Sequence, residues 1–175
     1  MSNNNRKIDT QAALDRAVWE VCHILRRDKA KGARLYVPEL TWMLFLCALD
    51  AKEYEEEQRT AAVGQSFSAT LAAPCRWRDW AATFDRRVPV SEAVKKRLPG
   101  WKRQELTEAG SGRFLQFVNK ELFPHLRSLR EAPGSTNRQK VVGEIFASKE
   151  QTILASETNL LDCLDGIARL QARRS

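Results

Sequence analysis

The stretch KKRLPGWKR, residues 95–103, gathers Lys95, Lys96, Arg97, Lys102 and Arg103 around a Pro99-Gly100 turn and Trp101, with no acid between them. Cations on one face neutralise phosphates or carboxylates and release the counterions those groups hold, so their binding weakens steeply as salt rises. The excess reaches upstream. Residues 76–103 carry nine basic side chains (Arg76, Arg78, Arg86, Arg87, Lys95, Lys96, Arg97, Lys102, Arg103) against three acidic ones (Asp79, Asp85, Glu92), a net of +6. Residues 1–75 hold ten of each sign, and residues 104–175 ten against nine. Nearly all of the chain's +7 therefore sits in one segment, which points to a polyanionic ligand: DNA, RNA or an acidic protein surface. Trp77, Trp80 and Trp101 are interleaved with these cations. Such rings can stack on exposed bases, but tryptophans three residues apart more often anchor packing, and packing is the expectation here.

Other chemistry-bearing residues do not assemble into a site. His23 lies beside an apolar stripe and His125 follows Pro124, and each reads as a structural or surface histidine rather than a general base. The acidic run 53–57 reads as a solvated helical face. Cys22, Cys47, Cys75 and Cys163 are far apart, form no C-x-x-C pair and read as reduced, small apolar residues. Zinc would require closer ligand spacing. AGSG at 109–112 is a turn rather than a phosphate loop, because no strand precedes it.

The elements that must position the basic segment are helical. At 175 residues one domain is expected, burying roughly two-thirds of its unfolded surface without a staple. Leu14, Val18, Val21, Cys22 and Leu25 mark one stripe of a helix that Asp9 or Thr10 could cap, ending near Arg27 where DKAKG breaks it. A second helix is expected from Pro38 towards Ala62. Its first half is apolar on nearly every side, and its KEYEEEQR half is directed to solvent. WRDWAATF and SEAVKKRL predict short helices, the first with Trp77, Trp80, Ala81 and Phe84 on one side. Leu115 to Leu129 predicts a helix from Gly112 to Arg130, kinked or restarted at Pro124. Thr136 with Gln139, and Ser148 with Gln151, read as capping boxes. Leu160, Leu161, Leu164, Ile167 and Ala168 define a C-terminal amphipathic helix. No strand pattern or repeat is present. The predicted class is all-α: an irregular helical bundle of about six to eight helices of mixed length. Residues 1–9 form a flexible N-terminus, 10–170 a single domain with a basic, less regular segment at 76–112, and 171–175 a tail.

The apolar block Leu40–Leu49 spans ten residues, about half of what a bilayer requires. MSNNNRKIDTQ has neither the apolar core nor the cleavage site of a secretory signal, so no membrane partner is expected and the protein is read as cytoplasmic.

Several stretches together resemble a known family. AVWEVCHILRR followed by LYVPELTWMLFLCALDAKE, then GRFLQFVNKELFPHLRSLR, VVGEIFASKE and NLLDCLDGI, resemble in order the N-terminal helical domain of modification (M) subunits in type I restriction–modification systems. The resemblance covers about Ala17 to Ile167. It implies a domain preceding an S-adenosylmethionine-dependent, adenine-N6-specific DNA methyltransferase domain. The implied partners are duplex DNA, a specificity subunit, a second M subunit and, as a further candidate, the restriction subunit. By position it implies core roles for Trp19, Leu25, Leu40, Leu44, Phe45, Leu46 and Leu49, and for Phe114, Leu122, Phe123, Ile145, Phe146, Leu160 and Leu161. Cys47 departs from the lysine that many members carry. The Asn/Asp-Pro-Pro-aromatic motif that holds a flipped adenine is missing, as is a Phe-x-Gly-x-Gly cofactor turn. The expectation is therefore a DNA-associated, subunit-docking domain that is not catalytic and holds no cofactor, with the nine basic residues at 76–103 as its nucleic-acid contacts. The alternatives are a module binding an acidic surface of a specificity or restriction subunit, or a stand-alone helical nucleic-acid-binding protein.

Overall fold

The computed structural model describes residues 11–28, 32–87 and 89–172, and every regular element among them is helical. Helix α1 is Gln11–Arg27 and α2 is Ala33–Ala62. The short turns α3 (Trp77–Trp80) and α4 (Glu92–Lys95) precede α5 (Trp101–Ala109). Arg113–Phe117, a π-helical turn Val118–Leu122 and Phe123–Ser128 follow one another without a break and form a single rod, α6. Helix α7 (Asn137–Ile145) and α8 (Glu157–Ala172) complete an eight-helix, all-α bundle among the described residues. The expected cap at Asp9 or Thr10, the flexibility expected of residues 1–9, most of the DKAKG break and most of the expected tail at 171–175 lie outside the described residues.

At 30 residues, α2 is about 45 Å long and forms the axis of the molecule. Helix α1 packs along α8, and both lean on α2. On α1, Ala17, Val21, Cys22 and Leu25 face inward, as the periodicity requires. The centre is aromatic. Trp42 of α2 stacks on Trp80 (centroids 6.4 Å apart) and meets the edge of Phe123 at 5.1 Å, while Phe114 and Phe117 close around Trp80 at 6.1 and 6.3 Å. Rings in offset and edge-on contact bury large apolar areas in geometries that their quadrupoles favour. All four cysteines are buried, and burial pushes the Cys75 and Cys163 thiols up to about 12, where they are inert. Cys47 donates to Gln171 Oε1 near the end of α8 at 3.4 Å, so it serves helix packing.

Five local expectations are corrected. Helix α2 begins five residues before Pro38, because Leu35 and Tyr36 hang a first turn on the Gly32 carbonyl. The bond that Pro38 cannot make lies close to an exposed helix end, where water can replace it. The charged half of α2 does not simply face solvent: Glu53 is buried, accepting from the Thr70 amide and hydroxyl and pairing with Arg138 of α7. WRDWAATF is helical only over Trp77–Trp80, and Phe84 falls in the following loop. Ser148 and Gln151 cap nothing. The loop around them is fastened instead by Glu39 to Lys149, Thr152 and the Ile153 amide, by Asn119 to the Thr152 amide, and by Arg127 to the Lys149 carbonyl. Finally, Trp19 and Ile145 are about half exposed rather than core; Trp19 lies against His23 on the outer side of α1. Leu44, Phe45, Leu49 and Leu161 flank the core, and the other positions expected there are buried.

Two expectations have clear mechanisms. The Thr136–Gln139 capping box forms in both directions, with bonds of 3.2 and 2.8 Å. Around Pro124 the rod stays continuous, and a fresh α-helical segment starts at Phe123, directly after Leu122, as expected. The π turn just before it widens the backbone where the proline ring would otherwise crowd the carbonyl four residues back.

Candidate nucleic-acid interface

The basic segment leaves the bundle at α3 and returns at α5, and both ends are anchored by buried groups. Trp77, Trp80 and Trp101 are all buried, so the rings pack and offer no stacking surface. Asp79, 1% exposed, is the hub of the junction. It takes two bonds of 2.9 Å from the Arg76 guanidinium and a third, of 3.0 Å, from the Trp101 indole N–H. A carboxylate buried this deeply is tolerable because a cation and two elements satisfy it at once.

The nine predicted contact residues separate into three groups. Arg76, Arg78, Lys102 and Arg103 are drawn into the fold. Arg78 reaches back to Asp50 (2.9 Å) and Glu57 (3.0 Å) on α2 and lies 5.2 Å over the Tyr54 ring. Burial pulls its pKa down, but the hydrogen bonds and charges of Asp50 and Glu57 outweigh this and leave it raised. Arg103 bonds Asp165 of α8 at 2.8 Å and the Ala81 carbonyl at 3.0 Å, and Lys102 pairs with Glu105 at 2.7 Å. Arg87 and Lys95 are paired near the surface, with Asp85 at 2.9 Å and Glu92 at 3.6 Å. Arg86, Lys96 and Arg97 are exposed and have no acidic partner among the described residues. These three are the uncompensated charge.

Two loops supply them. Arg86 comes from the loop after α3 and donates to Gln104 Oε1 at 3.2 Å. Lys96 and Arg97 follow α4, and the Lys96 ammonium lies 5.8 Å from the Trp101 ring centroid. Trp101 and Gln104 are one helical turn apart on α5, so both loops rest on the same face of that helix. The short-range pairs Arg76–Asp79, Lys95–Glu92 and Lys102–Glu105, all three apart, could have been read from spacing. Asp50 and Asp165, 28 and 62 residues from their arginines, could not.

The arrangement defines an all-helical domain built on one long central helix, with a small cationic tip on a nearly neutral body. The HsdM N-terminal domain model matches residues 14–167, and the chain belongs to that family. Among solved structures it is similar to a modification subunit of a putative type I restriction enzyme from Vibrio vulnificus YJ016. The TM-score is 0.66 at 27% identity, over 90% of this chain and 30% of that one. It is also similar to a chain from a structure titled for complex assembly and conformational transition of the type I R-M system, with a TM-score of 0.63 at 29% identity, over 91% of this chain and 26% of that one. The chain thus spans less than a third of the length of either relative. No curated protein sequence matches it. Among the described residues, no helix is long and apolar enough to cross a membrane.

Proposed function

We propose that this domain is the DNA-associating and subunit-docking part of a type I modification complex working in the cytoplasm. It is non-catalytic by itself and stands beside an adenine-N6 methyltransferase activity that uses S-adenosylmethionine. One observation carries the DNA reading: within the one segment that holds the chain's charge excess, Arg86, Lys96 and Arg97 stay exposed with no acidic partner among the described residues. Such cations suit phosphates and carry no base readout, so sequence choice belongs to another subunit. Titration of the chain with duplex DNA at two salt concentrations tests this. Binding should be independent of sequence and weaken with salt; absent or salt-insensitive binding overturns it.

A second reading has its own support. Val94, 43% exposed, sits directly before Lys95 and Lys96, and an apolar side chain among cations fits an acidic protein surface better than a phosphate backbone. On this reading a specificity, restriction or second modification subunit is the partner. Reversal of Lys96 and Arg97 to glutamate would then abolish subunit association and leave DNA affinity unchanged.

A further inference from the structure

The geometry points to Gly100 as the residue that fuses two separate basic loops into one three-cation surface, so that Arg86, Lys96 and Arg97 engage a single polyanion together. The inference rests on the DNA reading above and adds how the contact is built.

Gly100 is buried and has φ +77°, a left-handed conformation that disfavours any side chain. Its amide donates to the Arg78 carbonyl at 2.7 Å, closing the second loop onto α3. A Cβ at this position would lie 2.5 Å from both the Ala82 carbonyl oxygen and the Phe84 amide nitrogen. Those atoms are backbone and cannot swing aside as a flexible side chain would. The missing side chain therefore lets residues 82–84 lie directly against residue 100. Arg86 follows two residues after that contact, and Lys96 and Arg97 precede Gly100 by four and three. Their supports agree. Arg86 is held by Gln104 and Lys96 by Trp101, both on the first turn of the helix that Gly100 caps. Gly143 also lies against backbone, that of Arg130, but outside this segment, and at Gly64, Gly110, Gly112 and Gly134, which also have positive φ, a Cβ would meet open space.

The surface lacks an exposed aromatic ring, since Trp101 beneath Lys96 is buried and donates to Asp79. It therefore takes phosphates of any sequence. With three cations, the fall in duplex affinity from about 50 to about 200 mM salt should be roughly 40-fold, from a slope of about −0.9 per phosphate. By the same slope the fall should shrink to about 12-fold in Arg86→Gln and about 3-fold in Lys96→Gln/Arg97→Gln.

The decisive comparison uses this chain, 20-base-pair duplexes of mixed sequence and polyglutamate, with circular dichroism as the fold control. Expected are one binding site per chain, a reduced salt response in both charge variants, and a similar reduction in Gly100→Ala although every cation is retained. Two independent sites, one lost with Arg86 and the other with Lys96 and Arg97, would overturn the inference. So would a folded Gly100→Ala chain with the parent's affinity and salt response. If Gly100→Ala does not fold, the charge variants decide alone, since separate loops give two sites and a fused surface gives one. If the parent ignores duplex but binds polyglutamate through all three cations at one site, the DNA reading fails while the fused surface stands. If neither polyanion binds, both fail.

Discussion

The two ends of the basic segment and its tip share a composition and differ in everything else. At the ends, Arg76, Arg78, Lys102 and Arg103 bond Asp79, Asp50, Glu57, Glu105 and Asp165, and three buried tryptophans hold them in place. At the tip, Arg86, Lys96 and Arg97 are exposed with no acidic partner among the described residues. Net charge counted along the chain treats the two alike. The lesson is that a basic stretch on a folded domain is first a supply of internal ion pairs, and only the remainder is available to a partner. The acidic half of α2 mirrors this, since Glu53 and Glu56 hold Arg138 while Asp50 and Glu57 hold Arg78.

If the ends are structural and the tip is not, substitutions should divide accordingly. Trp80→Ala removes the ring at the centre of the aromatic cluster and should destabilise the domain by about 3–5 kcal/mol in denaturant unfolding. Arg78→Met should come next, at about 3 kcal/mol, because it leaves Asp50 charged in a site where burial already holds its carboxyl above the ordinary range. Adding Asp50→Asn should recover part of that loss in a double-mutant cycle, and failure to recover it would deny the pair its structural role. Lys96→Glu with Arg97→Glu should change stability by less than about 0.5 kcal/mol, yet weaken polyanion binding to every sequence alike.

The smallest effect concerns pH. His125 Nε2 is buried without a hydrogen-bond partner, and desolvation lowers the pKa of the ring below 6.5. Its folded value is therefore below its unfolded one, so protonation favours the unfolded chain. Stability should decline as pH falls from about 6.5 through the folded value, and His125→Leu should flatten that stretch of the unfolding-midpoint profile.

Local periodicity and turn chemistry were enough to establish the helical class, the inward stripe of α1, the Thr136–Gln139 cap and the packing of Trp77 with Trp80. Each depends on residues within a turn or two of one another, and such relations survive in linear order. Expectations failed where a distant group intervened. Ser148 caps no helix because Glu39, more than a hundred residues earlier, holds its neighbours in a loop. Trp19 and Ile145, placed in the core by family position, lie outside it because α1 and α7 turn those faces away from their neighbours. The reduction of nine cations to three belongs to the same class. Asp50 and Asp165 become partners only when α2 and α8 close on the segment, and Gly100 matters only once residues 82–84 lie against it. Linear order conveyed that this chain is helical and that its charge is concentrated in one segment. Which charges remain for a partner was decided by the tertiary fold, because ion pairing falls off with distance in space and takes no account of separation along the chain.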